Sequence, residues 1–309
     1  MKSIIKIGTR GSALALYQAE VVRSKLKACF PLVGFEFVKI RTKGDMIRRG
    51  AIEEIGPGIF TREIEEALLA KEIDLAVHSA KDLASELPEG LLIGAVLTRE
   101  DSRDCLVARG GMTLKELSSG AKVGTSSLRR KAQLRKLRPD LEFCEMRGNV
   151  DTRVKKIEQG ELDAMVIAYA GLKRLGLAKC ATEIFDPEIF LPQAGQGALA
   201  VEIRASDSEA CELTKPLNDE LSAVCVSAER GFLKRIEGGC QVPAGIFSKV
   251  ENKTIRLKGA IFSLDGEHEV TNRVSGTLSE AERLGIRLAE QLLESGGKEI
   301  LEEIRNAQK

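Results

Sequence analysis

Glu72-Ile73-Asp74-Leu75-Ala76-Val77-His78-Ser79-Ala80-Lys81-Asp82 carries the first structural signal in this 309-residue chain. Ile73, Leu75, Ala76 and Val77 read as a short strand buried on both faces. The polar run His78 to Asp82 follows where the strand leaves its sheet, the end at which open α/β sheets bind ligands. An Asp in that place is ordinarily a helix N-cap or a solvated loop carboxylate. A second stretch, Glu161-Leu162-Asp163-Ala164-Met165-Val166-Ile167-Ala168-Tyr169-Ala170-Gly171-Leu172, repeats the pattern. Asp163 matches Asp74, Val166 matches Val77 and Leu172 matches Leu83, but His78, Ser79, Lys81 and Asp82 become Ile167, Ala168, Ala170 and Gly171. The scaffold is duplicated and its polar chemistry occurs once. Asp82 is therefore the candidate working carboxylate.

The duplication extends outward. Ile4 to Gly8 reads as a strand, and Ser12 to Phe30 as a helix with Leu16, Ala19, Val22 and Leu26 at helical spacing. Between them, Gly8-Thr9-Arg10-Gly11-Ser12 offers backbone N–H groups, the positive end of a helix dipole and a forked cation, although Ser12 also makes an ordinary N-cap. Lys122-Val123-Gly124-Thr125-Ser126-Ser127 and the helix Leu128 to Leu137 echo this unit. That helix opens on Arg129 and Arg130, cations where the dipole disfavours them unless an anion sits between. The strand Leu141 to Met146 runs into Arg147-Gly148-Asn149, and the next helix carries Arg153. These four arginines are expected to converge on one face, whereas Lys131, Arg135 and Lys136 read as a solvated helix face.

Elsewhere Phe35 to Ile40 reads as a strand, Arg41 to Gly58 as a charged lid-like loop, and Thr61 to Lys71 as an amphipathic helix. Leu91 to Leu97 gives another strand. Arg99 to Asp104 reads as a polar crossing into a second domain, and Leu191 to Gly197 as the crossing back to the strand Ala198 to Ile203. A long helix, Asp219 to Glu237, ends in Gly238-Gly239-Cys240-Gln241-Val242-Pro243. The hairpin Ile255 to Leu264 and His268 to Ser275, with a helix Leu278 to Glu294, makes a small α+β tail. The expected fold class is α/β, with two α/β domains and this tail.

Composition narrows the function. Net charge is only +1, yet Lys122 to Lys156 holds eleven Lys/Arg against four Asp/Glu, which points to an anionic ligand. A nucleic-acid binder would also explain that segment, but with no Trp and two Tyr the chain lacks stacking residues. Seven cysteines without a Cys-x-x-Cys pair, and two histidines, argue against disulfides or a metal and favour a reducing cytoplasm. No apolar run is long enough for a membrane span or signal peptide. Cys105 and Cys225 read as core. Cys240, after two glycines, is the candidate accessible thiol, and local context leaves a reactive and an inert thiol equally open.

Six motifs in order resemble the porphobilinogen deaminase (hydroxymethylbilane synthase) family. They are Gly8-Thr9-Arg10-Gly11-Ser12, Val77-His78-Ser79-Ala80-Lys81-Asp82, Val123 to Arg130, Arg147-Gly148-Asn149-Val150, Gly195-Gln196-Gly197 and Gly238 to Pro243. The resemblance implies two domains like those of periplasmic binding proteins plus a third, α+β domain. Their expected bounds are 1–98 with 198–216, 103–192, and 219–309. It implies a transferase of haem (tetrapyrrole) biosynthesis that joins four porphobilinogen molecules, losing ammonia, into hydroxymethylbilane. A dipyrromethane cofactor would be held by a thioether to Cys240, with Asp82 as the catalytic group. Arg10, Ser12, Lys81, Thr125, Ser127, Arg129, Arg130, Arg147 and Gly148 match cofactor binders; Arg10, Gln18, Arg147, Arg153, Arg174 and Gln196 match substrate binders. A cytoplasmic monomer without nucleic-acid or membrane partners is expected. The sequence departs from the family at Gly56-Pro57-Gly58-Ile59-Phe60, where a Lys usually stands between the glycines, and at Ala80, commonly Met. A non-catalytic binder of small carboxylates is the rival reading; it leaves Cys240 and the one-sided Asp82 unexplained.

Overall fold

The computed structural model describes residues 2–46, 58–236 and 242–307. Its strands are β1 (Ile4–Thr9), β2 (Gly34–Lys39), β3 (Leu75–Ser79), β4 (Leu91–Val96), β5 (Asp104–Ala108), β6 (Lys122–Gly124) and β7 (Glu142–Cys144). There follow β8 (Ala164–Ala168), β9 (Glu183–Ile184), β10 (Leu199–Arg204), β11 (Ala244–Glu251), β12 (Thr254–Phe262) and β13 (Glu269–Thr277). The helices are α1 (Ala13–Cys29), α2 (Lys43–Met46), α3 (Arg62–Leu69), α4 (Leu128–Leu137) and α5 (Val150–Glu158). After them come α6 (Tyr169–Arg174), α7 (Ser208–Thr214), α8 (Glu220–Arg235), α9 (Ala281–Leu292) and α10 (Lys298–Ala307). Two compact units result, one of residues 1–100 with 198–226, the other of 101–197 with 227–309.

The first unit holds a five-stranded sheet ordered β2-β1-β3-β10-β4, and the second a sheet ordered β7-β6-β8-β5-β9. In both, three strands run parallel and a fourth pairs antiparallel with the central one: β10 with β3, and β5 with β8. The likeness reaches single bonds. Asp74 accepts from the Lys6 N–H at 2.9 Å, and Asp163 from the Lys122 N–H at 2.8 Å. Arg204 lies 3.5 Å from Asp74, and Arg109 lies 3.9 Å from Asp163. In the first sheet, Ile5, Ile7, Leu75, Val77 and Val201 pack under Ala19, Val22 and Leu26 of α1. Ile64 and Leu68 of α3 cover Ala76 on the opposite face.

The second unit also carries a three-stranded antiparallel sheet, β11-β12-β13, rather than the single hairpin expected from the sequence. Its first strand follows the Gly-rich stretch and carries Lys249 and Glu251 among its apolar residues, which blurs the alternation that marks a strand. The β12–β13 turn seats on α4: a Cβ on Gly266, whose φ is +80°, would lie 2.6 Å from the Ala132 carbonyl. Arg135 donates to the Leu264 carbonyl and Lys136 pairs with Glu269. Arg135 thus docks the tail and departs from the solvated face expected of it, whereas Lys136 stays exposed while pairing with the tail.

β3 also runs two residues further than expected, so that His78 is a buried strand residue. Asp104 does not end a polar crossing. It is the first residue of β5 and is wholly buried.

Candidate active site

Asp82 ends a single 3₁₀ turn, Ala80–Asp82, that leaves β3 at the sheet's carboxyl end. Three tethers fix the turn's start. The Ala80 N–H donates to the Ala198 carbonyl at 3.0 Å, Gln18 Nε2 donates to Ser79 Oγ at 2.9 Å, and His78 lies against Glu202. Gln18 is buried, so it supports the turn from inside the unit. Asp82 is half-buried, and no hydrogen bond or ion pair engages it among the described residues. It caps no helix. Lys81 beside it is likewise half-buried.

In the same unit, Arg10 follows β1 and is held on one edge and one face. Its Nε donates to Asp45 Oδ1 at 3.1 Å, and its guanidinium carbon stands 4.3 Å from the centre of the Phe60 ring. Burial works to raise the Asp45 carboxyl, but Arg10 and the hydroxyl and N–H of Thr42 outweigh it and hold it below its ordinary range. Asp45 belongs to the stretch read as a lid. Gly56 and Pro57, with the rest of 47–57, lie outside the described residues. Ser12 accepts from the Ala15 N–H and so caps α1, keeping only its own O–H to offer a ligand.

The second unit centres on Asp104. Its carboxylate accepts from Arg129 Nη1 at 2.7 Å, Arg130 Nη2 at 2.6 Å and Nε at 3.1 Å, and Gln196 Nε2 at 3.0 Å. Burial opposes the charge on Asp104, yet the two guanidinium groups hold its carboxyl far below the usual range. Arg129 and Arg130 are 4% and 8% exposed, so the anion expected between these N-terminal cations is supplied by the protein itself. One carboxylate does not balance two guanidiniums. Arg129 Nη2 is buried without a hydrogen-bond partner, and burial together with the charge of Arg130 pushes Arg153 down to about 10.

The remaining candidates divide. Thr125 is buried and accepts from the Ser127 N–H, while Ser127 caps α4 through the Arg130 N–H. Gln196 also donates to the Ser102 carbonyl and Arg174 to the Gly197 carbonyl, in the two segments that precede β5 and β10. Arg153 Nε donates to the Gly148 carbonyl, and Gly148 has a φ of +112° that a side chain would strain. Arg147 Nε stands 4.0 Å from Glu145 Oε2. Cys240 lies outside the described residues. Cys105 is buried in β5 and burial pushes its thiol up to about 12, a core residue.

Asp104, Asp45, Glu65 and Glu202 escaped the sequence reading. For Glu202 a signal existed: a carboxylate inside the otherwise apolar Leu199-Ala200-Val201-Glu202-Ile203 cannot face water in a strand covered on both sides. Among the described residues no three His, Cys, Asp or Glu side chains are grouped to hold a metal, and no helix is long and apolar enough to cross a membrane.

Two copies of one α/β sheet, each with a polar centre the other lacks, and a three-stranded tail define a duplicated α/β protein. Residues 5–212 match a family model described as porphobilinogen deaminase, dipyromethane cofactor binding domain, and residues 223–294 match the porphobilinogen deaminase C-terminal domain. A porphobilinogen deaminase of Pelotomaculum thermopropionicum is 49% identical over 100% of this chain and 99% of its own length. One from Carboxydothermus hydrogenoformans is 47% identical over 99% and 98%. The chain belongs to the porphobilinogen deaminase family. Among solved structures, the methionine-binding protein MetQ covers 74% of the chain and 91% of its own at 16% identity and TM-score 0.45. The aliphatic sulphonate binding protein SsuA of Escherichia coli covers 76% and 70% at 15% identity and TM-score 0.41.

Proposed function

We propose that this chain condenses four porphobilinogen molecules, with loss of ammonia, into the linear tetrapyrrole hydroxymethylbilane on a covalently held dipyrromethane primer. The family match over the whole chain supports this transferase reading over a non-catalytic binder of carboxylates. The observation that carries the ligand class is the buried excess of cations at Asp104, with Arg129 Nη2 left unpartnered. Such a centre costs stability without an anion, and a dipyrromethane bearing acetate and propionate groups supplies several. The residues present fit that group.

Arg129 and Arg130, oriented by Asp104, hold carboxylates of the primer, helped by Arg147, Ser127, Thr125 and the backbone at Gly148. Arg10, Lys81, Ser12 and Arg153 offer further donors to primer and substrate carboxylates. Gln18, Arg174 and Gln196, which also brace the segments that bear these groups, complete the substrate contacts. Cys240 forms the thioether. When bound, the primer supplies a free α-carbon at which the chain grows. Asp82, engaged by no partner among the described residues, is available to stabilise positive charge at a pyrrole nitrogen and to accept and return a proton. The domain bounds 1–98 with 198–216, 103–192 and 219–309, a cytoplasmic location and a monomeric state without nucleic-acid partners belong to the same reading.

Intact mass of the purified protein, followed by peptide mapping of wild type and Cys240→Ser, tests it. A two-pyrrole adduct on Cys240 is expected in the wild type and its loss in the variant. A wild-type protein of unmodified mass that releases no ammonia from porphobilinogen would sink the proposal.

A further inference from the structure

Three ionisable side chains are buried together in the first unit, and none has a place in the chemistry above. His78 of β3, Glu202 of β10 and Glu65 of α3 are 5%, 0% and 6% exposed. His78 Nε2 and Glu202 Oε2 lie 3.0 Å apart. They sit diagonally across the antiparallel pair, since Ala200 faces His78 and Glu202 faces Ala76. The pairing of β10 with β4 shifts register at Val201/Glu202, an irregularity of the kind that re-aims a side chain. Hydrogen bonding stays incomplete: His78 Nε2, both oxygens of Glu202 and Oε1 of Glu65 lack an aligned partner. Burial first, and then the charge of Glu202, raises the Glu65 carboxyl, against the pull of Thr61, His78 and Arg62.

The second sheet shows what this scaffold does without the three. α3 and α5 end alike, each followed by a residue of positive φ, Lys71 and Gly160. The Glu72 N–H bonds to the Ala67 carbonyl, and the Glu161 N–H to that of Lys156. This correspondence sets Val154 at the place of Glu65 and Ile167 at that of His78. Strand register sets Val107, paired with Met165, at the place of Glu202, paired with Ala76. Val154, Ile167 and Val107 pack together in one apolar cluster. The fold is thus satisfied by three aliphatic side chains. Replacing buried ionic groups by packed aliphatics is generally neutral or stabilising, so the polar set is costly where it occurs. It occurs only in the half whose strand delivers Asp82.

We infer that Glu202 and Glu65 are positioning residues that act through His78 to orient the turn bearing Asp82. Packing holds Ile167 in place, whereas charge directs the His78 imidazole toward β10. His78 is the residue before Ser79, from which the Asp82 turn starts. The inference rests on Asp82 being the catalytic carboxylate.

The test installs the second sheet's residues in the first: Glu65→Val, His78→Ile and Glu202→Val together, with Glu202→Gln as a separate variant that keeps side-chain size. Thermal melting, intact mass, and steady-state kcat and KM are measured on the protein with its cofactor attached. The triple variant is expected to melt at or above the wild-type temperature and Glu202→Gln, which removes one partner of a buried pair, somewhat below it; both are expected to keep the adduct mass. Their kcat is expected to fall about tenfold or more while KM stays within about threefold. Wild-type kcat in a stably folded triple variant would overturn the inference. So would a triple variant that does not fold while Glu202→Gln is fully active, or a Glu202→Gln whose activity loss merely tracks lost stability. Asp82→Asn, measured alongside, separates the two levels: wild-type turnover there removes the catalytic assignment whatever the other variants do.

Discussion

Arg129 Nη1 lies 2.7 Å from Asp104 Oδ2, and both side chains are buried. Taken from the sequence, Arg129 is a cation misplaced at a helix start and waiting for a ligand. In the fold it is also half of an internal ion pair, which reverses the expected effect of removing it. Arg129→Leu leaves Asp104 with Arg130 and Gln196 only, in a place water does not reach. Arg130 still balances the Asp104 charge, so the loss is that of a buried charge-assisted hydrogen bond and should cost about 2 kcal/mol. Urea unfolding of the cofactor-free protein measures it, and an Arg129→Leu variant as stable as wild type would show Asp104 to be satisfied without it.

Asp82→Asn is the opposite case. Asp82 caps no helix and has no partner among the described residues, so the unfolding free energy should stay within about 0.5 kcal/mol of wild type. Turnover should fall on the order of a hundredfold or more, because the lost charge acts on the transition state. Ammonia release at saturating porphobilinogen decides it. Equal rates at equal folded content would return Asp82 to a passive loop residue.

Asp45 and Phe60 fix one edge and one face of Arg10, an orientation that would present its other edge to a ligand if Arg10 binds substrate as proposed. Asp45→Ala should therefore raise KM about tenfold with kcat within about twofold. A fall in KM would instead mean that Asp45 competes with the substrate for Arg10. Since the Asp45 carboxyl is held below its ordinary range, this contact is present above that range and weakens only as pH falls through the lowered value.

Glu65 has the reverse sign. Its carboxyl is raised in the folded protein, so the folded state holds the proton more tightly than the unfolded one. Its unfavourable contribution is absent below the ordinary glutamate value of about 4.3 and grows as pH rises through the folded value. Glu65→Gln should raise the melting temperature at pH 7 and leave it nearly unchanged at pH 4. A gain of the same size at both pH values would assign the effect to packing instead of charge.

The two sheets, and the presence of a carboxylate in only one of two matched strand ends, were legible in the residue order. Strand burial and helix periodicity are local patterns, and a repeat compares one local pattern with another; thus Asp82 stood out against Gly171 before any coordinates. The partners of charged groups were not legible. Asp104 lies 25 residues before Arg129 and sat in a run of charges that read as a polar crossing between domains, until β5 placed it inside a sheet. Glu65, His78 and Glu202 come from a helix and two strands far apart in the chain, and only the register of β10 on β3 brings the imidazole to the carboxylate. A charged side chain in a linear sequence has no defined dielectric and no defined neighbour. Both arise when the backbone pairs and closes water out, so tertiary structure alone decided which charges in this chain became mutual supports and which, like Asp82 among the described residues, were left without one.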